Sequence, residues 1–245
     1  MENAHTVQLD GADGPLPLYE TWPAKARAAV VVVQEAFGVN NHIEDVAKRL
    51  AAQGYYAVAP QLFHRAGVNE VSYDDMPAAK AQLAELSEKG IRIDIETTLE
   101  RLAAQGFPLA NTGIVGFCMG GSVVVPAACD HAFGAAVTFY GGGVVEGRFG
   151  YSPLAELAPD LKAPWLGLFG DKDQSIPFGQ VELLRDEAAK ATVPTSIVRY
   201  SDAGHGFHCD ARPTAYHEAS AKDAWAKTLD WFTRFIAEVG RRSAR

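Results

Sequence analysis

Residues 113–121 (GIVGFCMGG) hold a cysteine, Cys118, with a glycine two positions to either side, Gly116 and Gly120. This G-x-C-x-G spacing suits a nucleophile carried on a sharp turn between a strand and a helix, where the backbone is strained. Glycines without a Cβ let neighbouring chain approach such a turn closely. A thiol at the start of the following helix sits at the positive end of the helix dipole, which favours the thiolate. The backbone N–H of Met119 points at the same spot and can act as one oxyanion donor. Taken alone, a cysteine in a glycine-rich turn is as readily a small buried apolar residue. The flanks decide for chemistry, because an apolar run precedes the motif and an Ala/Val-rich stretch follows it.

An elbow of this type predicts a chain order of nucleophile, acid and histidine. Residues 169–177 (FGDKDQSIP) follow a hydrophobic run and place carboxylates on a loop just beyond it. Asp173 is the expected acid and Asp171 the second choice. Asp171 is expected to serve as a turn former, since aspartate side chains bond their own backbone in turns. Residues 201–207 (SDAGHGF) set His205 between two glycines, ahead of the C-terminal helix. His205 is the expected base, and His208 is the other histidine near enough to compete. Three motifs in the expected order are far more specific than any one of them.

These residues need a scaffold that brings strand ends together. Residues 28–34 (AAVVVVQ) read as a buried strand. Residues 41–53 carry Ile43, Val46, Ala47 and Leu50 on one helical face, and Gly54 ends that helix. Further strands are expected at 55–60, 113–117, 135–140, 165–170 and 196–200. Helices are expected at 77–88, 93–105, 120–128, 178–190 and 215–239. Such alternation predicts an α/β chain with a mostly parallel central sheet flanked by helices on both faces, as a single domain over residues 1–245. The weakest-patterned stretches, 64–76 and 141–164, follow predicted strands and are expected to wall the pocket at the sheet edge. The polar tail 241–245 is expected to fray.

Bulk composition narrows the function classes. The 245 residues are 48% hydrophobic and 21% charged, the balance of an ordinary globular enzyme. A formal net charge of -8 disfavours nucleic acid and anionic membrane surfaces, both of which need a basic face. Three cysteines (Cys118, Cys129 and Cys209), none in a C-x-x-C pair, make neither a disulfide framework nor a structural zinc motif. A reducing compartment suits such thiols. With no secretory signal and no apolar run long enough to span a bilayer, the reading is a cytoplasmic protein, monomer or homodimer. A dinucleotide site is excluded, because QEAFGVN stands at the first strand–helix turn in place of G-x-G-x-x-G.

The chain resembles the dienelactone hydrolase family of the α/β-hydrolase superfold from Val30 to the last helix. The matching segments are 34–40 (QEAFGVN), 54–60 (GYYAVAP), 116–121 (GFCMGG), the 173–177 loop and 203–207 (AGHGF). The resemblance implies an α/β-hydrolase fold and a Cys118–His205–Asp173 triad. It further implies that Glu35 lies near the thiol and governs its protonation, and that the N–H near Phe37 is the second oxyanion donor. Tyr140, Phe207 and Arg212 are the expected substrate-binding residues. The implied reaction is cleavage of a small ester or lactone through an acyl-thioester, with no cofactor and no metal. A thiolate is a good leaving group, so amides are expected to be poor substrates. The alternatives are a general carboxylesterase or thioesterase on this scaffold, or a non-catalytic ligand-binding protein. One departure stands out. Family members hold a substrate carboxylate with arginines, one of them a few residues after the catalytic histidine, where this chain has Cys209. Residues 68–89 contain no arginine. The remaining basic candidates are His208, Arg212 and Arg65, with Arg212 best placed. Weaker selection for a free carboxylate follows as the expectation.

Overall fold

The computed structural model describes residues 3–238. Its chain begins with a hairpin of β1 (Asn3–Gly11) and β2 (Gly14–Trp22). The alternation of strand and helix then runs β3 (Ala28–Val33), α1 (Asn41–Ala52), β4 (Tyr55–Pro60), α2 (Met76–Glu85), α3 (Glu88–Ala104), β5 (Thr112–Phe117) and α4 (Met119–Asp130). After these come β6 (Ala135–Phe139), α5 (Leu154–Leu157), β7 (Trp165–Gly170), α6 (Phe178–Ala188), β8 (Thr195–Tyr200) and α7 (Glu218–Phe235). The eight strands form one sheet in the order β1-β2-β4-β3-β5-β6-β7-β8. Only the pairings of β1 with β2 and β2 with β4 are antiparallel.

Hydrophobic patterning explains the centre of this sheet. β3, β4, β5, β6 and β7 are buried at every position, as strands covered on both faces must be. Each valine in β3 contributes about 1.5–3 kcal/mol through complete burial. The α1 helix turns Ile43, Val46, Ala47 and Leu50 inward as its spacing predicts, and Asn40 caps it by accepting from the Ile43 N–H.

Register then fixes the site. Val33 pairs with Gly116, Phe117 with Phe139, and Gly170 with Tyr200. The residues just past β3, β5, β6, β7 and β8 therefore emerge along one edge, the carboxyl end of the parallel strands where α/β folds bind ligands. Glu35, Cys118, Tyr140, Asp173 and His205 all lie in those positions.

Several details depart from the sequence reading, among them the helix expected at 77–88, which ends at Glu85. The β1–β2 hairpin was not expected, because β1 is largely exposed and carries little hydrophobic signal. The α3 helix starts at Glu88 rather than 93, since Ser87 accepts a hydrogen bond from the Gly90 N–H and nucleates the first turn. A short helix, α5, sits inside the weakly patterned 141–164 stretch. The last helix starts at Glu218 rather than 215. The expected end of that helix at Val239 and the tail 241–245 lie outside the described residues.

Candidate active site

Cys118 is the N-cap of α4 and has φ 55° and ψ -114°, a conformation side chains rarely adopt. The flanking glycines show why the turn tolerates it. A Cβ on Gly116 would lie 2.2 Å from the Gly120 carbonyl oxygen. One on Gly120 would meet the Val33 and Gln34 carbonyl oxygens at 2.4 and 2.5 Å. The turn is pinned from both sides: the Cys118 N–H donates to Phe139 O at 3.1 Å and the Gly120 N–H to Gln34 O at 3.1 Å. The half-buried thiol is held at the positive end of α4.

His205 Nε2 lies 3.0 Å from Cys118 Sγ, and His205 Nδ1 lies 2.6 Å from Asp173 Oδ2. The three residues are 87 and 32 positions apart in sequence, and the register of β5, β7 and β8 closes those gaps. The Asp173 carboxylate is buried. Its second oxygen accepts from the Ser175 N–H at 2.8 Å and from the Ser175 hydroxyl at 2.6 Å. Burial would raise the Asp173 pKa, but the hydrogen bonds from His205 and Ser175 outweigh it and hold the group below its usual range. Burial likewise disfavours the His205 imidazolium. The hydrogen bonds to Asp173 on one nitrogen and to the Cys118 sulfur on the other overcome that cost and push its pKa up to about 10. With Nε2 on the sulfur and Asp173 behind the ring, the imidazole is placed to take the thiol proton, the arrangement that activates a cysteine nucleophile.

Ser175 was not singled out in the sequence. The available signal was its position two residues after Asp173, the spacing at which an aspartate bonds its own loop backbone. Asp171 takes a different part. Arg199 on β8 grips both its oxygens, Nε to Oδ1 at 2.7 Å and Nη2 to Oδ2 at 2.8 Å. It ties the end of β7 to β8 and faces no imidazole. His208 does not compete as base. It is buried against Phe117, Phe139 and Trp225, and burial drives its pKa down to about 3.

Glu35 is 1% exposed. Tyr140, itself at φ 40°, donates its hydroxyl to Glu35 Oε1 at 3.2 Å and packs its ring 5.2 Å from that of His205. Glu35 Oε2 has no hydrogen-bond partner among the described residues. No hydrogen bond joins Glu35 to Cys118 among them either, and Tyr140 connects Glu35 to His205 instead. Phe207 is fully buried, edge-on to Tyr140, so it supports that ring rather than offering a surface to solvent.

The Glu35–Gly38 turn presents the second oxyanion candidate. Neither the Phe37 nor the Met119 N–H donates to a backbone acceptor among the described residues. The 64–76 stretch covers this turn as expected: the Val71 N–H donates to Phe37 O at 2.9 Å, and the Tyr73 ring meets Phe37 edge-on at 4.7 Å. The 141–164 stretch instead packs on α4 and the start of α3, with Gly141 against Gly121 and Phe149 O accepting from the Glu88 N–H.

Packing also separates the three basic candidates. Arg65 is consumed by Asp13 and Asp94, and His208 is buried and neutral. Arg212 lies half-buried over the Phe37 and Tyr73 rings, 5.3 and 5.6 Å from their centroids. It forms no ion pair with a carboxylate of the described residues. No described helix is long and apolar enough to cross a membrane.

Comparison with known proteins assigns the family and the fold. The profile of the Dienelactone hydrolase family matches residues 17–236. A Salmonella typhimurium protein named "Putative carboxymethylenebutenolidase" is 38% identical over 241 residues, covering 97% of this chain and 84% of that protein. The Rhodococcus opacus "Carboxymethylenebutenolidase" is 30% identical over 211 residues, covering 84% of this chain and 81% of that one. Among solved structures, a Klebsiella pneumoniae "Putative Dienelactone Hydrolase" superposes with a TM-score of 0.87 at 35% identity, covering 96% of this chain and all of the other. The chain belongs to the dienelactone hydrolase family, hydrolases of the α/β-hydrolase fold.

Proposed function

We propose that the protein hydrolyses small lactones or esters, with Cys118 as nucleophile, His205 as base and acid, Asp173 as its orienting carboxylate, and Arg212 as the cation available to a substrate carboxylate, which is selected less strongly than where an arginine directly follows the histidine motif. The observation that carries the reading is the unbroken chain from Cys118 Sγ through both ring nitrogens of His205 to Asp173, at 3.0 and 2.6 Å. In the reaction, the Cys118 thiolate attacks the carbonyl carbon and the Met119 and Phe37 N–H groups receive the oxyanion. As the C–O bond breaks, the His205 imidazolium gives its proton to the departing alkoxide. A lactone opens to an acyl-thioester that keeps its alcohol arm. Neutral His205 then takes a proton from water, whose oxygen attacks the thioester, and the acid leaves as the thiolate–imidazolium pair re-forms. The scheme draws on no metal or organic cofactor. Asp173 stays ionised throughout and holds the imidazole in the tautomer that aims Nε2 at sulfur.

Arg212 accounts for substrate charge. Cys209 removes the cation expected just after the histidine, and Arg212 is a half-buried guanidinium beside the Phe37 donor. A single charged hydrogen-bonding partner contributes about 1.5–3 kcal/mol, roughly ten- to a hundredfold in affinity. The test compares kcat/KM for a carboxylated dienelactone and its neutral methyl ester in wild type, Arg212→Ala and Cys118→Ala. Arg212→Ala is expected to lose about ten- to a hundredfold on the acid and little on the ester. Cys118→Ala is expected to turn over neither. A preference for the acid that survives Arg212→Ala would remove Arg212 from the reading, and wild-type-like hydrolysis by Cys118→Ala would remove the nucleophile.

A further inference from the structure

Beside the triad lies a second group of reactive side chains that the reaction above leaves unused. Glu35, His42 and Cys209 are all buried, and one ligand atom from each lies within 4.8 Å of the others. Two of these side chains carry an unsatisfied atom. Glu35 Oε2 and His42 Nε2 are buried with no hydrogen-bond partner among the described residues. A buried polar atom without a protein partner costs free energy unless a ligand satisfies it, so both atoms are available to one. The other ends of both side chains are already fixed. Glu35 Oε1 accepts from Tyr140, and His42 Nδ1 faces Asp210 Oδ1 at 3.1 Å. Asp210 is in turn held by Arg49.

We propose that Glu35, His42 and Cys209 form a binding site for a thiophilic divalent cation of the zinc class. Thiolate, imidazole and carboxylate are the donor set such a cation prefers. The Asp210 carboxylate on His42 Nδ1 is the outer partner that a metal-binding imidazole requires, since a proton held on Nδ1 leaves the Nε2 lone pair for the metal. Binding releases the Cys209 proton to solvent, and the resulting thiolate and the Glu35 carboxylate neutralise the two positive charges. The Tyr73 hydroxyl, 3.4 Å from Cys209 Sγ, can then donate to the bound thiolate. Ligand atoms around tetrahedral zinc stand roughly 3.3–3.8 Å apart, given bond lengths of 2.0–2.3 Å. The cluster therefore needs to contract by at most about 1.5 Å, within reach of small side-chain rotations shared among the three residues. Three protein ligands leave the fourth position open to water. Residues 35, 42 and 209 form no local motif, which is why no metal was expected from spacing along the chain.

Cys118 and His205 are also a thiol–imidazole pair, so the test is made in full-length Cys118→Ala protein stripped with a chelator. Zinc is titrated in competition with a chromophoric chelator, and cobalt(II) serves as the spectroscopic probe. The expected result is one equivalent of metal and a near-ultraviolet sulfur-to-cobalt charge-transfer band. Adding Cys209→Ser should abolish the band and weaken zinc binding at least tenfold. Adding Asp210→Asn, at the surface, should weaken it about ten- to a hundredfold without touching a ligand. Circular dichroism confirms that each variant is folded, and Asp210→Asn carries the test if Cys209→Ser does not fold. Absence of a stoichiometric site in the Cys118→Ala protein, or a cobalt–sulfur band and zinc affinity unchanged by Cys209→Ser and Asp210→Asn, would overturn the proposal.

Discussion

Two aspartates two positions apart are the sharpest comparison at the scale of single residues. Asp173 bonds His205 at 2.6 Å from a buried position, whereas Asp171 is gripped by Arg199 near the surface. Asp173→Asn would leave the imidazole facing an amide, free to take the tautomer that cannot accept from sulfur. In a serine triad the corresponding change costs about ten-thousandfold in kcat. Because a thiol is far more acidic than a serine hydroxyl and depends less on its base, a loss of about a hundredfold or more is expected here. Asp171→Asn breaks a surface ion pair worth about 0–1 kcal/mol and should leave kcat within about threefold. Parallel kcat and urea-midpoint measurements on the two variants check the assignment. A larger kcat loss in Asp171→Asn would reverse it. Both carboxylates were visible in the sequence, and so was the preference for Asp173. Its support from Ser175 was not, since a serine in a loop has many possible partners.

At the scale of elements, the site depends on how closely β3, β5 and α4 approach one another. Gly120 is where α4 meets the end of β3, with no room for a methyl group between it and two backbone carbonyls. Gly120→Ala must push α4 away from β3. Overpacking typically costs about 1–3 kcal/mol, and the upper end applies because backbone carbonyls cannot rotate aside. The same shift moves Cys118 relative to His205, so kcat should fall together with the thermal midpoint. A variant with unchanged midpoint and unchanged kcat would show that the elbow has slack the geometry denies. Element identity was largely legible here. The Val-rich runs gave the buried strands, and the glycine spacing gave the turn between β5 and α4. The β1–β2 hairpin was not legible, because an exposed edge strand has no buried face to impose a pattern.

For the whole molecule, the titrating groups set a pH window of greatest stability. Asp13 is held below its usual pKa by the Arg65 hydrogen bond, and Asp173 by His205 and Ser175 against the cost of burial. Carboxylates lowered in the folded state stabilise it above their unfolded value of 3.8, and that contribution is lost as pH falls through the lowered values. His205 is raised from 6.5 to about 10, so its contribution is complete below 6.5 and is lost as pH climbs to about 10. Buried His208, lowered from 6.5 to about 3, adds a contribution that is present above 6.5 and is lost as pH falls toward 3, so urea midpoints should peak near pH 6.5 and decline on both sides. His205→Gln should flatten the alkaline decline, and an equally steep decline in that variant would disprove the linkage. The sequence by itself determined the fold class and the order of nucleophile, acid and histidine. Hydrophobic periodicity and turn chemistry are local, and each triad member sits in its own short motif. Tertiary structure alone decided what keeps Asp171 from the imidazole and which of the three basic candidates lacks a carboxylate partner among the described residues. Those outcomes depend on Arg199 reaching Asp171 across β7 and β8, and on Asp13 and Asp94 converging on Arg65 from the hairpin turn and α3. The meeting of Glu35, His42 and Cys209 was hidden for the same reason: sheet register and helix packing join segments more than 160 residues apart, and no spacing along the chain encodes that contact.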